Sequence, residues 1–176
     1  MKRIVIAGGC FWGVEAYFKR LKGVIDTNVG YVNGNIENPK YEDLKAKRAT
    51  HAEAVEIYYD ERIISLEKIL EHMFRFIDPT SLNKQGIDEG IQYRTGVYYK
   101  DISDYQIIKK FIDIQNQKYN GKVVVEVEEE KGFYLAEDYH QDYLDKNPNG
   151  YCHVNLNLIK DEEKKEEVWL EVFAIV

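Results

Sequence analysis

The sequence predicts an α+β fold with a ferredoxin-like split βαβ core, which is a two-layer α/β sandwich. Two strand–helix–strand units follow one another along the chain, and this is the element order of that motif. The strands are apolar or alternating runs, and the helices carry apolar stripes at helical spacing. The 176 residues are enough for one well-packed domain with extra helices and a long C-terminal tail.

The first unit is bounded by glycines. Residues 3–7 form a short apolar run that predicts a buried strand, and two glycines end it. Residues 11–22 carry apolar side chains at helical spacing, and Gly23 provides a stop signal. The apolar run at residues 24–32 then predicts a second strand.

The second unit begins with alternating residues. The alternation at residues 54–59 predicts a third strand. Ser65 is a typical N-cap for the apolar stripe that follows it, and Asp78-Pro79 ends that helix. Residues 95–99 complete the unit as a fourth strand.

Three further elements are predicted towards the C-terminus. Ser103 and Gln106 resemble a capping box that opens a helix extending to about residue 119. Residues 123–127 predict a fifth strand, and residues 136–147 predict a short helix that ends before a proline. Because no repeat or linker divides the chain, we expect one domain with its core at about residues 2–147 and a tail at 148–176.

Charge and hydropathy restrict the functions that the chain can have. A net charge of −7 argues against non-specific binding to nucleic acid, which needs a clustered basic surface. No apolar run approaches the roughly 20 residues of a membrane span, and the N-terminal apolar segment is too short for a signal peptide. We therefore expect a cytoplasmic protein that binds neither nucleic acid nor membranes.

Two cysteines, Cys10 and Cys152, are the first candidates for chemistry. Without a CxxC pair a structural zinc site is improbable, and a reducing compartment favours catalytic or transient redox roles. Cys10 follows a strand and two glycines at the start of a helix, where unpaired N–H groups favour a reactive thiolate. The alternative is a buried structural cysteine that behaves as a small apolar residue.

Glu53 is the second candidate. It precedes a strand in which Val55, Ile57 and Tyr59 share one face, and alternation places Glu53 on that inward face. Burial raises the pKa of a carboxyl group and allows it to donate a proton near neutral pH. The alternatives are a frayed strand end or an ordinary salt bridge.

Two segments without periodicity supply further candidates. Residues 78–94 form a long aperiodic stretch, so Asp88, Tyr93 and Arg94 are candidate site residues, although an ordinary surface loop is the alternative. A turn-rich hinge precedes Cys152, and a thiol on a mobile tail is suited to attack an oxidised partner. The residues alone do not identify that partner.

A series of short motifs occurs in a fixed order along the chain. They are Gly9-Cys10-Phe11-Trp12-Gly13, Val29-Gly30-Tyr31, Asn38-Pro39-Lys40-Tyr41, His51-Ala52-Glu53-Ala54-Val55, Asp78-Pro79-Thr80, Gln85-Gly86-Ile87-Asp88, Gln92-Tyr93-Arg94, Tyr139-His140-Gln141 and Gly150-Tyr151-Cys152. Each motif is a weak signal. Together, from about Ile4 to Cys152, they closely resemble the A-type peptide methionine sulfoxide reductases.

The resemblance implies a set of roles at one site. It implies Cys10 as the nucleophile and Glu53 as the acid. It also implies that Tyr41 and Tyr93 donate hydrogen bonds to the sulfoxide oxygen, with Asp88 as a support. Enzymes of this kind reverse one epimer of methionine sulfoxide, and the resemblance points to the S epimer at sulfur.

The resemblance also implies a substrate pocket and a recycling route. Phe11 and Trp12 would hold the methyl group of free or protein-bound methionine sulfoxide. Cys10 would become a sulfenic acid, Cys152 would convert it into a disulfide, and thioredoxin or another dithiol would reduce that disulfide. No bound cofactor is implied.

Two segments depart from the family pattern. Residues 44–50 replace the usual glycine-containing loop, which often carries a cysteine. Residues 153–176 lack the common Gly-rich tail with another cysteine, and they end in an acidic stretch and an apolar segment. We therefore expect regeneration to depend on one recycling cysteine.

Two other functions are compatible with the residues alone. One is a hydrolase or amidase in which His51 or His140 activates Cys10. The other is a redox-sensing or metal-binding module that uses Cys10, Cys152, His140 and His153.

Overall fold

A computed structural model describes residues 1–166, which form a mixed α/β fold. The strands are β1 (Lys2–Gly8), β2 (Val24–Val32), β3 (Ala52–Tyr59), β4 (Lys84–Gln85), β5 (Asp88–Glu89), β6 (Thr95–Tyr99), β7 (Glu126–Glu129) and β8 (Phe133–Leu135). The α-helices are α1 (Phe11–Phe18), α2 (Tyr41–Lys45), α3 (Leu66–Phe76), α4 (Ile102–Lys118) and α5 (Tyr143–Lys146).

Six strands form one sheet in the order β7-β6-β1-β3-β2-β8, and β4 and β5 form a separate hairpin. Strand β1 pairs antiparallel with both β3 and β6, and β2 pairs antiparallel with β3 and β8. Strands β6 and β7 pair in parallel. The end of the central strand β1, where α1 begins, is therefore enclosed by neighbouring strands.

The two faces of the sheet bury different clusters. Ile4 and Ile6 of β1 belong to the main core together with residues of α1 and α3, such as Tyr17 and Met73. The alternate residues of β1 belong to a smaller cluster that includes Tyr98 on the other face. This division follows from the two-residue period of a strand, which directs successive side chains to opposite faces.

Most predicted elements are confirmed. The strands predicted at 24–32 and 95–99 have those bounds, and those predicted at 3–7 and 54–59 are each longer by two residues. The N-cap at the start of α3 is also confirmed, because the Ser65 side chain accepts a hydrogen bond from the Lys68 N–H.

The helix predicted at residues 136–147 is wrong. That segment holds a 3₁₀ turn (Asp138–His140) and the short helix α5. Asp142 lies between them with a φ of 52°, which an α-helix cannot contain. The Gln141 side chain bonds both the N–H and the carbonyl of Val29, so tertiary hydrogen bonds replace helical ones.

The strand predicted at residues 123–127 begins later, at Glu126. The Val123 N–H donates to Asn116 Oδ1 at 3.1 Å, and the Val124 N–H donates to the Pro79 carbonyl at 2.8 Å. These bonds hold the first residues of the segment in a loop rather than in the sheet ladder.

Two helix ends also differ from the predictions. Helix α4 is capped by Asp101, whose side chain accepts the Ser103 N–H at 2.9 Å, so the predicted Ser103–Gln106 capping box is wrong. Helix α1 ends at Phe18 rather than at residue 22. The reason is that Leu21 leaves the helix and forms an isolated β-bridge with Lys164.

The C-terminal segment packs onto the core. The Lys22 N–H donates to the Glu163 carbonyl, and the Lys165 N–H donates to the Arg20 carbonyl, both at 2.9 Å. The Glu163 carboxylate also accepts two hydrogen bonds from Arg75, at 2.7 and 2.9 Å. The last part of the predicted tail, residues 167–176, lies outside the described residues. None of the helices within residues 1–166 is long and apolar enough to cross a membrane.

Candidate active site

Cys10 lies where the central strand passes into helix α1. Gly9 has a φ of +90°, a conformation that favours glycine, and it turns the chain so that Cys10 becomes the N-cap of the helix. Cys10 is 7% exposed. The thiol is therefore held at the helix start but is largely shielded from water.

The expectation that the helix start favours the thiolate is wrong for this arrangement. Burial raises the pKa of Cys10, and the negative charge of Glu53 raises it further. The backbone N–H of Trp12 acts in the opposite direction, but it does not compensate for the lost hydration. At neutral pH Cys10 is a thiol, so its proton must leave when its sulfur attacks.

Glu53 lies on strand β3 opposite Tyr31 of β2, and it is 2% exposed. Its Oε1 accepts a hydrogen bond from the Phe11 N–H at 3.2 Å, which ties the carboxyl group to the first turn of α1. Burial raises the pKa of Glu53 to about 8, the Phe11 N–H opposes that rise, and the charge of Asp88 adds to it. Glu53 is therefore mostly protonated at pH 7, as the inward-facing position predicts.

Two tyrosines share the electrostatic environment of Cys10 and Glu53. Burial raises the pKa values of Tyr41 and Tyr93, and the charge of Glu53 is the next largest cause for both. Charges on Cys10 and Asp88 also raise both pKa values. All five side chains are thus close enough to influence one another, and both phenols remain proton donors at neutral pH.

The position of Tyr41 depends on a carboxylate that sequence reasoning did not single out. Glu137 accepts a hydrogen bond from the Tyr41 N–H at 3.1 Å and another from the Tyr31 hydroxyl at 2.9 Å. Glu137 follows strand β8, so the sheet edge fixes the start of α2. Its only signal in the sequence is that it precedes the Tyr139-His140-Gln141 motif by two residues.

Aromatic residues form an apolar wall beside Cys10. The buried Phe11 ring lies 5.1 Å from the His140 ring. Trp12 is half-buried, stacks on Tyr143 with ring centroids 3.7 Å apart, and donates from Nε1 to His140 Nδ1 at 3.0 Å. These contacts fix the orientation of the two residues for which the family resemblance implies a role in the methyl pocket.

The aperiodic stretch at residues 78–94 has local structure. It contains the β4–β5 hairpin and a 3₁₀ turn at Ile91–Tyr93. Asp88 on β5 accepts a hydrogen bond from the Tyr151 hydroxyl at 2.8 Å, and burial together with this bond raises the pKa of Tyr151 to about 12. Tyr151 was missed as a site residue, although it lies next to Cys152 in the last motif.

Arg94, the third candidate in this stretch, contacts other parts of the chain. Its guanidinium donates to the carbonyl groups of Thr50 (2.8 Å), Ile91 (2.9 Å) and Asn33 (3.2 Å). It also pairs with Glu126 at 3.0 Å. Arg94 therefore joins the loops around the site and is not placed in the Cys10–Glu53 cluster.

Cys152 lies in the C-terminal segment and packs against the first turn of α1, the helix whose N-cap is Cys10. A Cβ atom added to Gly13 of α1 would come within 3.2 Å of Cys152 Sγ. The Cys152 thiol donates to the Val154 carbonyl at 3.2 Å, and both cysteines are free thiols. The structure thus brings together two residues that are 142 positions apart in the sequence.

Over residues 2–171 the chain matches the family model described as peptide methionine sulfoxide reductase. It belongs to that family. MsrA of Clostridium acetobutylicum is 52% identical over 160 residues, which cover 91% of this chain and 99% of that protein.

Solved structures of the family have the same fold. Reduced Mxr1 of Saccharomyces cerevisiae superimposes with a TM-score of 0.82 at 36% identity, covering 88% of this chain and 91% of that one. The same yeast protein in complex with Trx2 gives a TM-score of 0.57 at 28% identity, covering 81% and 84% of the two chains.

The histidines of this reductase do not form a hydrolase pair with Cys10. His140 Nδ1 accepts the hydrogen bond from Trp12, and His51 packs against Gly34 and the ring of Tyr134. Within residues 1–166, no group of three His, Cys, Asp or Glu side chains is placed to hold a metal ion. Carboxyl and phenol groups lie near Cys10, and this arrangement favours thiol chemistry.

Proposed function

We propose that this protein reduces methionine S-sulfoxide, free or in proteins, to methionine, with Cys10 as the nucleophile and Glu53 as the proton donor. The observation that carries the proposal is the buried Cys10 thiol beside a carboxyl group whose pKa is about 8. Family membership and the named activity of the Clostridium acetobutylicum relative support the same substrate class.

Glu53 supplies what the leaving oxygen needs. A sulfoxide oxygen leaves poorly until it is protonated or strongly hydrogen-bonded, and a neutral carboxylic acid in a dry site can do both. The phenols of Tyr41 and Tyr93 add two hydrogen-bond donors for the charge that develops on this oxygen. Asp88 supports the group, since its charge contributes to the raised pKa of Glu53.

The reaction balances without an added oxidant. Glu53 gives a proton to the sulfoxide oxygen as the Cys10 sulfur attacks, and the proton that the Cys10 thiol loses replaces it on Glu53. The oxygen passes to the Cys10 sulfur, so methionine leaves and Cys10 becomes a sulfenic acid. Because protonated Glu53 carries no charge, it no longer disfavours the thiolate, which lowers the cost of activating Cys10.

The methyl pocket explains why one epimer reacts. Phe11 and Trp12 would hold the substrate methyl group against a wall that His140 and Tyr143 keep in place. The sulfoxide oxygen must face Glu53 on the other side. When the oxygen and the methyl group of the substrate are both fixed, only one configuration at sulfur directs the rest of the substrate out of the pocket. We assign this configuration to the S epimer.

Regeneration uses Cys152 and an external dithiol. The Cys152 sulfur attacks the oxidised Cys10, water leaves, and thioredoxin reduces the resulting disulfide. The placement of Cys152 against Gly13 supports the pairing, and the structure of the related Mxr1 with Trx2 supports the choice of reductant. Since the thiols carry all the electrons, the cycle needs no bound cofactor.

The architecture suggests a finer classification. The order β6-β1-β3-β2, with α1 and α3 in the two crossovers, supports a ferredoxin-like split βαβ core. Val154 and Ile159 of the tail lie in the main core, which supports one catalytic domain that includes the described part of the tail, residues 148–166. The two free thiols support a reducing compartment, and we assign the protein to the cytoplasm.

The deciding experiment offers the two separated epimers of methionine sulfoxide with a dithiol as reductant. We expect turnover of the S epimer alone and none for Cys10→Ser. Equal turnover of both epimers, or persistent turnover after Cys10 is alkylated, would contradict the proposal. A peptide that contains one methionine sulfoxide extends the test to protein-bound substrate.

A further inference from the structure

His153 follows the recycling cysteine directly, and the proposed chemistry gives it no role. Its Nε2 lies 2.8 Å from the carbonyl oxygen of Gly8, the last residue of β1. A carbonyl oxygen only accepts hydrogen bonds, so Nε2 carries the proton. Burial lowers the pKa of His153, and the imidazole is therefore neutral at pH 7, with its proton on this bond.

The imidazole fills a space that glycines leave open. A Cβ atom on Gly9 would lie 2.9 Å from His153 Nε2, and one on Gly13 would lie 3.2 Å from Nδ1. A Cβ atom on Gly86, in the hairpin that carries Asp88, would lie 3.4 Å from His153 Cβ. The side chain is thus inserted between the end of β1, the first turn of α1 and the hairpin.

The same insertion determines where the adjacent sulfur lies. Gly13 is close to both His153 Nδ1 and Cys152 Sγ, since its added Cβ would be 3.2 Å from each atom. Gly13 is three residues beyond Cys10 on the first turn of α1. Cys152 also contributes to the raised pKa of Cys10, which is a second sign that the two thiols are near each other.

We propose that His153 is a positioning residue for regeneration, because its hydrogen bond to the Gly8 carbonyl holds Cys152 beside Cys10 before Cys10 is oxidised. The inference rests on the proposed function and concerns only its second step. In that step a bond forms between the two sulfurs, the S–O bond of the sulfenic acid breaks, and the hydroxyl leaves as water with the Cys152 proton. A thiol that is already held in place reacts faster than one that must search for its partner.

The test separates the two steps in time. One equivalent of methionine S-sulfoxide is mixed with reduced enzyme without a dithiol, and samples are quenched at intervals. Methionine release reports the first step, which also consumes the Cys10 thiol, and loss of the second alkylatable thiol, that of Cys152, reports disulfide formation. For His153→Ala we expect unchanged methionine release and disulfide formation slowed about tenfold, the scale of one lost hydrogen bond with its packing.

A conservative variant tests the hydrogen bond itself. In His153→Gln the side-chain amide can still donate to the Gly8 carbonyl, so we expect most of the rate of disulfide formation to return. Asn155→Ala is the matched control on the same tail, because within residues 1–166 the Asn155 side chain bonds only the local Asn157 N–H, at 3.0 Å. It should form the disulfide at the rate of the unmodified enzyme.

Three results would overturn the assignment of His153. They are a normal rate of disulfide formation in His153→Ala, no recovery in His153→Gln, and an equal slowing of methionine release and disulfide formation. The last result would show a general structural role. A failure of methionine release in the unmodified enzyme would instead contradict the proposed function, so the two failures are distinguishable.

Discussion

Replacement of Glu53 by glutamine should change activity and stability in opposite directions. Glutamine keeps an oxygen that can accept the Phe11 N–H, which Glu53 Oε1 now accepts at 3.2 Å. It cannot give a proton to the sulfoxide oxygen. Loss of general acid catalysis costs about 10²–10⁴ in rate, so kcat should fall by about that factor while KM changes little.

The pKa of Glu53 also sets the pH dependence of the rate. With a pKa of about 8, the carboxyl group is about nine-tenths protonated at pH 7. The rate of the unmodified enzyme should fall as pH rises through 8, because the acid loses its proton. The Gln variant should lack this decline at its lower overall rate.

The effect on stability follows from proton linkage. The folded pKa of Glu53 lies above its unfolded value of 4.5, so the folded state keeps a proton that the unfolded state has released. Stability therefore falls as pH rises from about 4.5 to about 8, by about 3 kcal/mol at pH 7. Glu53→Gln does not ionise, so its Tm should exceed that of the unmodified enzyme, and the difference should grow up to about pH 8.

Glu56→Gln is the matched control for this experiment. Glu56 lies on the same strand but pairs with Arg3, away from Cys10. Its replacement should lower Tm and leave kcat unchanged. Initial rates from pH 6 to 9.5 and calorimetric Tm values measure both effects. A Glu53→Gln enzyme with normal kcat, or with a lower Tm at pH 9, would refute the reasoning about a neutral buried acid.

Two other changes test the remaining parts of the site, and a third tests the packing of β2 against β8. With thioredoxin as the reductant, Cys152→Ser should release about one methionine per enzyme and then stop, because Cys10 lacks its resolving thiol. Sustained turnover, measured by methionine release, would contradict this. The double variant Tyr41→Phe, Tyr93→Phe should have a kcat about 10²-fold lower and a smaller change in KM, since two hydrogen-bond donors to the developing oxyanion are lost. A change confined to KM would show that the two tyrosines only bind the substrate. Gly30→Ala should lower the free energy of unfolding by about 1–3 kcal/mol, because overpacking forces backbone shifts. The added Cβ would lie 2.5 Å from the Tyr134 carbonyl oxygen on β8, and denaturant unfolding with an unchanged midpoint would refute that close contact.

Much of the fold could be predicted from local patterns. Strands β2 and β6 have the predicted bounds, and α3 begins after its predicted cap. In these elements the spacing of apolar residues and the residues at the termini indicate the same bounds. The segment at residues 136–147 could not be predicted in this way. Its Gln141 side chain accepts the Val29 N–H, and its Ala136 N–H donates to the Val29 carbonyl, so its partner on strand β2 lies more than 100 positions away in the sequence.

The sequence by itself determined which side chains are candidates for the chemistry. The signals are local features that are present before the chain folds. They are the two glycines before Cys10, the alternation that places Glu53 on the inward face of its strand, and the ordered motifs. The pKa values of these groups depend on burial and on neighbouring charges, which are tertiary quantities. For Cys10 the local helix start favours the thiolate, but the burial that the fold imposes outweighs it.

Only the tertiary structure decided the long-range placements. Tyr151 bonds Asp88, His153 bonds the Gly8 carbonyl, and Cys152 lies over the first turn of α1. None of these pairs is near in sequence, and no periodicity relates their positions. They meet because the tail packs back across the end of the central strand. The sequence indicates which residues can take part in such contacts, but it does not indicate which residues contact each other.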